Sequence, residues 1–120
     1  MAPISIKLKR VYEPPSDDDG VRILVERLWP RGLSKAVAKI DHWTKDAAPT
    51  PALRTWFGHR PERWEEFRER YLDELEENQT AVNAVRVLCE RQNVTFVFAA
   101  RDVERNSAIL LREFLLSERE

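Results

Sequence analysis

Two clusters of charged side chains give this sequence its clearest potential for chemistry. The first is residues 26–31 (ERLWPR), and the second is residues 99–102 (AARD) with Asn106 one helical turn later. Each follows an apolar run and is therefore predicted to lie where a strand ends. A guanidinium fork donates two hydrogen bonds to one oxyanion, so the arginines of these clusters are predicted to bind a phosphate or carboxylate ligand. They are Arg27, Arg31 and Arg101, and Arg10 and Asn106 are further candidate ligand-binding residues.

The same clusters contain two carboxylates, Glu26 and Asp102. A pair of carboxylates in unequal surroundings is the usual arrangement for general acid–base chemistry, so either residue is a candidate acid or base. The alternative is a structural ion-pair network, in which Glu26 pairs with Arg101 and Asp102 caps the last helix. The sequence leaves both interpretations open.

Three ring side chains are further candidates. His59, in the segment WFGHRP (56–61), could act as an acid or base, as histidine side chains commonly do. A histidine that caps a junction between two helices would give the same pattern. Trp29 and Trp43 lie beside predicted strand ends, where they would line a pocket and stack on a planar ligand. The common alternative for a tryptophan is a place in the core.

The sequence predicts no metal site and no cofactor. It contains two histidines and one cysteine, without the paired spacing of metal ligands. Residues 15–26 imitate part of a calcium loop, but Pro15 stands at the first ligand position. The three glycines form no phosphate-binding loop. Cys89 lies on the apolar face of a predicted helix and is expected to be a small core residue.

Strands and helices in mixed order must position these clusters. Alternating apolar residues predict a strand over residues 4–8, and apolar runs predict strands over 21–28 and 94–100. The last strand is almost wholly apolar, as in a central strand covered on both faces. Ser34 is a candidate cap of a short helix, and residues 40–43 are a short strand or loop. Further helices are predicted over 50–58, from about 61 to 78, from a cap at Thr80, and up to about Ser117.

The predicted fold is a single α/β domain over residues 1–120, with a small, mostly parallel or mixed sheet of three to four strands and helices packed on it. The long chain between strands 21–28 and 94–100 permits a parallel crossover. If these strands are parallel neighbours, both charged clusters meet at the carboxyl edge, where open α/β sheets bind ligands. The loop 14–20 is too short for a helical crossover, so the first two strands are predicted to be antiparallel if they pair directly. If another strand lies between them, they could be parallel.

Composition narrows the class of partner. The chain has 120 residues, 42% of them hydrophobic, and a formal net charge of −1. This charge argues against a nucleic-acid binder and a polybasic membrane protein. A single cysteine and an N-terminus without a long apolar region predict a cytoplasmic protein. The expected partner is a small phosphorylated or carboxylated ligand, and the sequence leaves room for a homodimer.

Several strings together resemble the YeaO-like proteins, domain of unknown function family 488. They are residues 9–14 (KRVYEP), 19–22 (DGVR), 24–32 (LVERLWPRG), 53–59 (LRTWFGH), 64–71 (WEEFRERY) and 100–106 (ARDVERN). The family pattern has Asp at the position of Glu26, which shifts this carboxylate by one methylene. The resemblance implies a single α/β domain of bacterial, cytosolic type and no established activity. The matching motif positions are Arg10, Arg22, Glu26, Arg27, Trp29, Arg31, Trp56, His59, Arg101, Asp102 and Asn106.

The leading functional hypothesis is a site for a small anion or nucleotide phosphate at the carboxyl edge of the sheet. Under this hypothesis the protein could be an uncharacterised enzyme that acts on the bound molecule. The alternative is a non-catalytic module that docks a protein or nucleic acid through the same arginines and tryptophans. Arg31, just beyond its strand, is expected to affect binding but not stability. Arg101, at the end of the central strand, is expected to affect both.

Overall fold

The computed structural model describes residues 5–90 and 92–117. Its centre is a four-stranded sheet in the order β1-β4-β2-β3, in which all neighbouring strands are parallel. The α/β class and the strand number are therefore as predicted. The strands are β1 (Ile6–Arg10), β2 (Val21–Leu24), β3 (His42–Trp43) and β4 (Val94–Phe98). Ile4, part of the predicted first strand, lies outside the described residues.

The last strand in the sequence is an inner strand of the sheet. Phe96 of β4 is in register with Leu8 of β1 on one side and with Ile23 of β2 on the other. Every residue of β4 is buried, which confirms the central strand predicted from its apolar run. The first two strands do not pair with each other, since β4 separates them. They are therefore parallel, and the antiparallel default for direct pairing does not apply.

Five α-helices of the described residues accompany the sheet. They are α1 (Lys35–Ala38), α2 (Pro51–Phe57), α3 (Trp64–Glu77), α4 (Gln79–Cys89) and α5 (Ser107–Ser117). Ser34 Oγ accepts a hydrogen bond from the Val37 N–H at 3.2 Å, which confirms the predicted cap of α1. Thr50 caps α2 in the same way, and Gly58 ends it at a φ of 53°.

The predicted cap of α4 was wrong. The helix begins at Gln79, so Asn78 and not Thr80 is the residue that precedes it. Asn78 alone separates α3 from α4, and its side-chain amide donates to the Asp46 carbonyl at 2.9 Å. This tertiary contact fixes the junction, and the local sequence around Thr80 carries no sign of it.

The two faces of the sheet are covered unequally. One face packs on the main core, to which α2, α3, α4 and α5 all contribute buried residues. The other face carries a smaller cluster around Leu24, Val97 and Ala38, closed by side chains of the segment 29–40. Within residues 5–90 and 92–117, no helix combines the length and apolar character needed to cross a membrane.

Candidate functional site

The two charged clusters meet at the carboxyl edge of the sheet. Leu24, the last residue of β2, is in register with Val97, one residue before the end of β4. Both strands end earlier than predicted, at Leu24 and Phe98. The residues that follow them therefore leave the ladder at the same edge. The prediction that these strands are adjacent and parallel is confirmed.

A pocket of about 560 Å³ opens at this edge. Its apolar lining includes the buried rings of Phe57 and Phe67. It also includes Ala48 and Pro49, which precede α2, and the exposed Leu28. Its polar lining is Glu26, Arg27, Arg54, His59, Arg101, Asp102, Asn106 and Ser107. A concave, largely apolar pocket with a few polar groups is the usual form of a small-molecule site.

Glu26 is one of the two carboxylates that line the pocket, and backbone groups hold it. Its Oε2 accepts a hydrogen bond from the Ala99 N–H at 3.1 Å, just beyond the end of β4. Burial raises the pKa of Glu26, while the backbone N–H groups of Ala99 and Ala100 and the nearby His59 and Arg54 act in the opposite direction. No ion pair forms between Glu26 and any described side chain, so the expected pairing with Arg101 does not occur.

Arg54, His59 and Arg101 all line the pocket and are exposed. Within the described chain, the side chains of Arg54 and Arg101 form no hydrogen bond or ion pair. His59 follows Gly58 at a φ of 57°, in the left-handed region that residues other than glycine seldom adopt. Its ring lies 6.0 Å from that of Phe57, centroid to centroid. Two guanidinium groups and an imidazole are thus available at the pocket.

Asp102 stabilises the turn that leads to α5. Its Oδ1 accepts hydrogen bonds from the N–H groups of Glu104 (2.9 Å) and Arg105 (3.0 Å). The Glu104 hydrogen bond is the largest of the effects that lower the pKa of Asp102. The expectation that Asp102 caps the last helix was wrong, because Asn106 does so by accepting from the Ile109 N–H at 3.0 Å. Asp102 and Asn106 still line the pocket.

Two of the predicted ligand-binding arginines are bound to the protein's own backbone. Arg27 donates to the carbonyls of Pro49 at 3.1 Å and Ala48 at 3.2 Å. Arg10 donates to the carbonyls of Ala100 at 2.9 Å and Ala99 at 3.0 Å. Both arginines therefore hold the segments that carry pocket residues, although only Arg27 itself touches the pocket.

Arg31, Trp29 and Trp43 are not among the pocket residues. Arg31 is exposed, and its carbonyl accepts from the Tyr12 hydroxyl at 2.9 Å. The tryptophans pack edge to face, with ring centroids 5.5 Å apart. Trp29 donates to the Leu33 carbonyl and Trp43 to the Glu26 carbonyl, each at 2.7 Å. They support the chain around Glu26 from outside the pocket.

Arg22 and Trp56, two positions of the family pattern, also lie elsewhere. Arg22 is buried in an ion pair with Asp19 at 2.6 Å. The ring of Trp56 contacts the guanidinium groups of Arg63 and Arg70. Both residues therefore have structural partners.

Arg54 and Phe57 are two of the pocket residues that were not predicted from the sequence. Both lie within the string LRTWFGH, which carries part of the family resemblance. The available signal was their closeness to His59 in the sequence, since Arg54 lies in the middle of α2 and His59 follows the Gly58 that ends this helix. Nothing local showed that this helix faces the ends of β2 and β4.

The site contains no evident metal centre. Among the residues that the structure describes, no group of three or more His, Cys, Asp or Glu side chains is arranged to hold a metal ion. Cys89 is buried, and burial raises the pKa of its thiol to about 11. The polar groups of the pocket can bind charged groups of a ligand. Of its two carboxylates, Asp102 is engaged in hydrogen bonds within its own turn, and Glu26 is not.

Comparisons with known proteins test the family resemblance of the motif strings. A family model described as "Inactive DUF488-N3 subclade" matches residues 5–120. An uncharacterized protein of Mycobacterium tuberculosis is 43% identical over 110 residues, which cover 92% of each chain. Uncharacterized protein YeaO of Escherichia coli is 36% identical over 114 residues, which cover 95% of this chain and 99% of the relative. No solved structure matches significantly. The family predicted from the motif strings is confirmed: the chain belongs to the DUF488 family, in the subclade described as inactive DUF488-N3.

Proposed function

We propose that this protein binds a small anionic molecule, a carboxylate or a phosphate ester, in the pocket at the carboxyl edge of the sheet. The observation that carries the proposal is that Arg54, His59 and Arg101 line a largely apolar pocket. Among residues 5–90 and 92–117, the two guanidinium groups have no hydrogen-bond or ion-pair partner. Exposed arginines are common, but two that converge on one concave site with an imidazole form a receptor for an oxyanion.

Binding without turnover is the form of this function that the site favours. Acid–base catalysis by the pair Glu26 and Asp102 would need both carboxylates to exchange protons. Asp102 instead accepts two backbone hydrogen bonds, which favour its charged form and leave it a poor proton donor. The description of the subclade as inactive supports the same choice.

A second candidate is a single-base enzyme that uses Glu26. Its support is the burial that raises the pKa of this carboxyl toward the range in which it would accept and return a proton. His59, which acts electrostatically on Glu26, would be the second proton carrier. Turnover of a ligand by the native protein, lost in Glu26→Gln, would replace the binding proposal with this one.

Titration calorimetry with inorganic phosphate, phenyl phosphate and 3-phenylpropionate tests the proposal. The two aromatic probes add an apolar body that suits Phe57 and Phe67. Arg54→Gln and Arg101→Gln should each weaken binding of these probes about 10-fold or more, because a hydrogen bond to a charged group contributes roughly 1.5–3 kcal/mol.

Arg31→Gln is the matched control, since it removes an exposed arginine that lies outside the pocket. Its affinities should equal those of the native protein. The proposal is wrong if no probe binds, or if Arg31→Gln weakens binding as much as the two pocket variants do. A response that disappears at moderate salt for all variants would instead indicate the docking of an extended anionic surface.

A further inference from the structure

The pocket contains opposite charges that do not neutralise each other. Glu26 receives hydrogen bonds from backbone N–H groups only, and no described side chain forms an ion pair with it. Arg54 and Arg101 likewise have no carboxylate partner among the described residues. Arg54 and His59 still act electrostatically on Glu26, so the opposite charges face the same space without contact. A ligand that fills this space meets a carboxylate and cations together.

The position of Glu26 is fixed by the fold. The carboxylate is tied to the Ala99 N–H, while the carbonyl of the same residue accepts from the Trp43 indole at 2.7 Å. Ala99 and Ala100 are held in turn by Arg10. In this structure the Glu26 carboxylate therefore lies at the pocket without reaching Arg54. A simple anion in this pocket would be attracted by the cations but repelled by Glu26.

We propose that the ligand is a zwitterion of the amino-acid type, whose anionic group binds Arg54, His59 and Arg101, whose ammonium group binds Glu26, and whose apolar side chain packs on Phe57 and Phe67. This inference rests on the proposed function and names the ligand class of the same site. A pocket of about 560 Å³ has room for a large apolar amino acid. The ammonium group would supply the ionic partner that this half-buried carboxylate lacks among the described residues.

Three probes that differ by one charged group test the inference. L-phenylalanine carries both charges, 3-phenylpropionate lacks the ammonium group, and 2-phenylethylamine lacks the carboxylate. The native protein should bind L-phenylalanine about 10-fold or more tightly than either of the others in calorimetric titrations. Equal affinity for L-phenylalanine and 3-phenylpropionate would overturn the inference, whatever any variant does.

The Glu26→Gln variant tests whether Glu26 causes the tighter binding of L-phenylalanine over 3-phenylpropionate. The glutamine carbonyl keeps an acceptor for the Ala99 N–H but loses the charge. The variant should bind L-phenylalanine and 3-phenylpropionate equally, and a retained preference for L-phenylalanine would overturn the inference. Glu26→Asp keeps the charge one methylene further from the pocket and should retain part of the preference.

Arg54→Gln is the matched variant on the other side of the pocket. It should weaken the binding of L-phenylalanine and of 3-phenylpropionate by the same factor, and so leave the ratio of the two affinities unchanged.

The anion-pocket proposal and the zwitterion proposal fail in different ways. Binding of phosphate or 3-phenylpropionate without a preference for L-phenylalanine refutes the zwitterion and leaves the anion pocket in place. Absence of binding by every probe refutes both.

Discussion

Arginine side chains in this protein differ in what they donate to, and this difference decides their role. Arg27 and Arg10 each bind two backbone carbonyls near the pocket. Arg101 and Arg54 line the pocket, and within the described part of the chain their guanidinium groups have no hydrogen-bond or ion-pair partner. The first pair therefore contributes to the stability of the site, and the second pair is available to a ligand.

Arg27→Ala should destabilise the protein by about 1–3 kcal/mol, because it leaves the carbonyls of Ala48 and Pro49, both in buried residues, without their donor. Arg101→Ala should change the free energy of unfolding by less than about 0.5 kcal/mol, as exposed substitutions usually do. Urea unfolding of the two variants measures both values. An Arg101→Ala variant that is the less stable of the two would contradict this division.

Part of the polar lining of the pocket could be predicted from the sequence for a simple reason. Polar residues that follow apolar strands were expected at the sheet edge, and Glu26, Arg101, Asp102 and Asn106 do line the pocket. The targets of Arg27 and Arg10 could not be predicted, because the carbonyls that they bind belong to segments brought near only by tertiary packing. The expected stabilising role of Arg101 has no contact to support it.

At the scale of elements, the connection between β1 and β2 is a compact, charged turn. Asp19 is buried and pairs with Arg22 at 2.6 Å and with Lys9 at 3.1 Å. Arg22 in turn donates to the carbonyls of Ala38 and Lys39, so the turn also holds the end of α1. The sequence DDDG signalled a turn, but it did not show that only the third aspartate is buried.

The pH dependence of stability should report on Asp19. Burial alone would raise its pKa, but the hydrogen bonds from the Ser16 backbone, Lys9 and Arg22 lower it from 3.8 to about 2. A carboxylate with a depressed pKa in the folded state stabilises the protein above its unfolded pKa. This contribution should therefore be complete above about pH 4 and be lost as the pH falls from 3.8 toward 2.

The measurement is the difference in free energy of unfolding between the native protein and Asp19→Asn across this range. The variant should be less stable by about 3 kcal/mol at neutral pH, because it breaks a buried ion pair, and the difference should shrink below pH 4. Asp17→Asn, at an exposed position in the same turn, should follow the native curve. A difference between native and Asp19→Asn that is constant from pH 7 to pH 2 would refute the assignment.

At the scale of the whole molecule, the fold depends on contacts between distant parts of the chain. The Val21 N–H donates to the Asn93 carbonyl at 2.9 Å, and the Thr95 hydroxyl donates to the Asp19 carbonyl at 2.7 Å. Gly20 lies between these contacts at a φ of 63°. A methyl group on Gly20 would lie 2.4 Å from the Asn93 carbonyl oxygen, so the residue is a glycine for both conformational and steric reasons.

Gly20→Ala and Gly32→Ala form a matched pair that separates these reasons. Both glycines have a positive φ, but a methyl group on Gly32 meets no atom within 4 Å. Gly32→Ala should cost about 1–2 kcal/mol from backbone strain alone. Gly20→Ala should cost about 1–3 kcal/mol more, since the loop 17–20 and the start of β4 must move apart. If urea unfolding gives the same loss of stability for Gly20→Ala and Gly32→Ala, the close contact between Gly20 and Asn93 does not add to the cost.

The overall architecture and the pairing of β2 with β4 were predictable from local patterns, whereas the place of β1 in the strand order was not. The apolar run 94–100 and the alternation near residue 6 identified an α/β domain, and the structure confirms it. Whether β1 and β2 pair directly depends on a strand some 70 residues further along the chain. No pattern within residues 6–24 records that β4 enters between them.

The strand order also governs when the protein can fold during translation. β1 and β2 leave the ribosome early, but the strand that joins them is residues 94–98. Until that segment emerges, β1 has no partner in the sheet, and the apolar side chains of Ile6 and Leu8 stay uncovered by it. At synthesis rates of about 5–20 residues per second, this interval lasts several seconds, long enough for chaperones to bind. The nascent chain completes its sheet only after most of its length has been made.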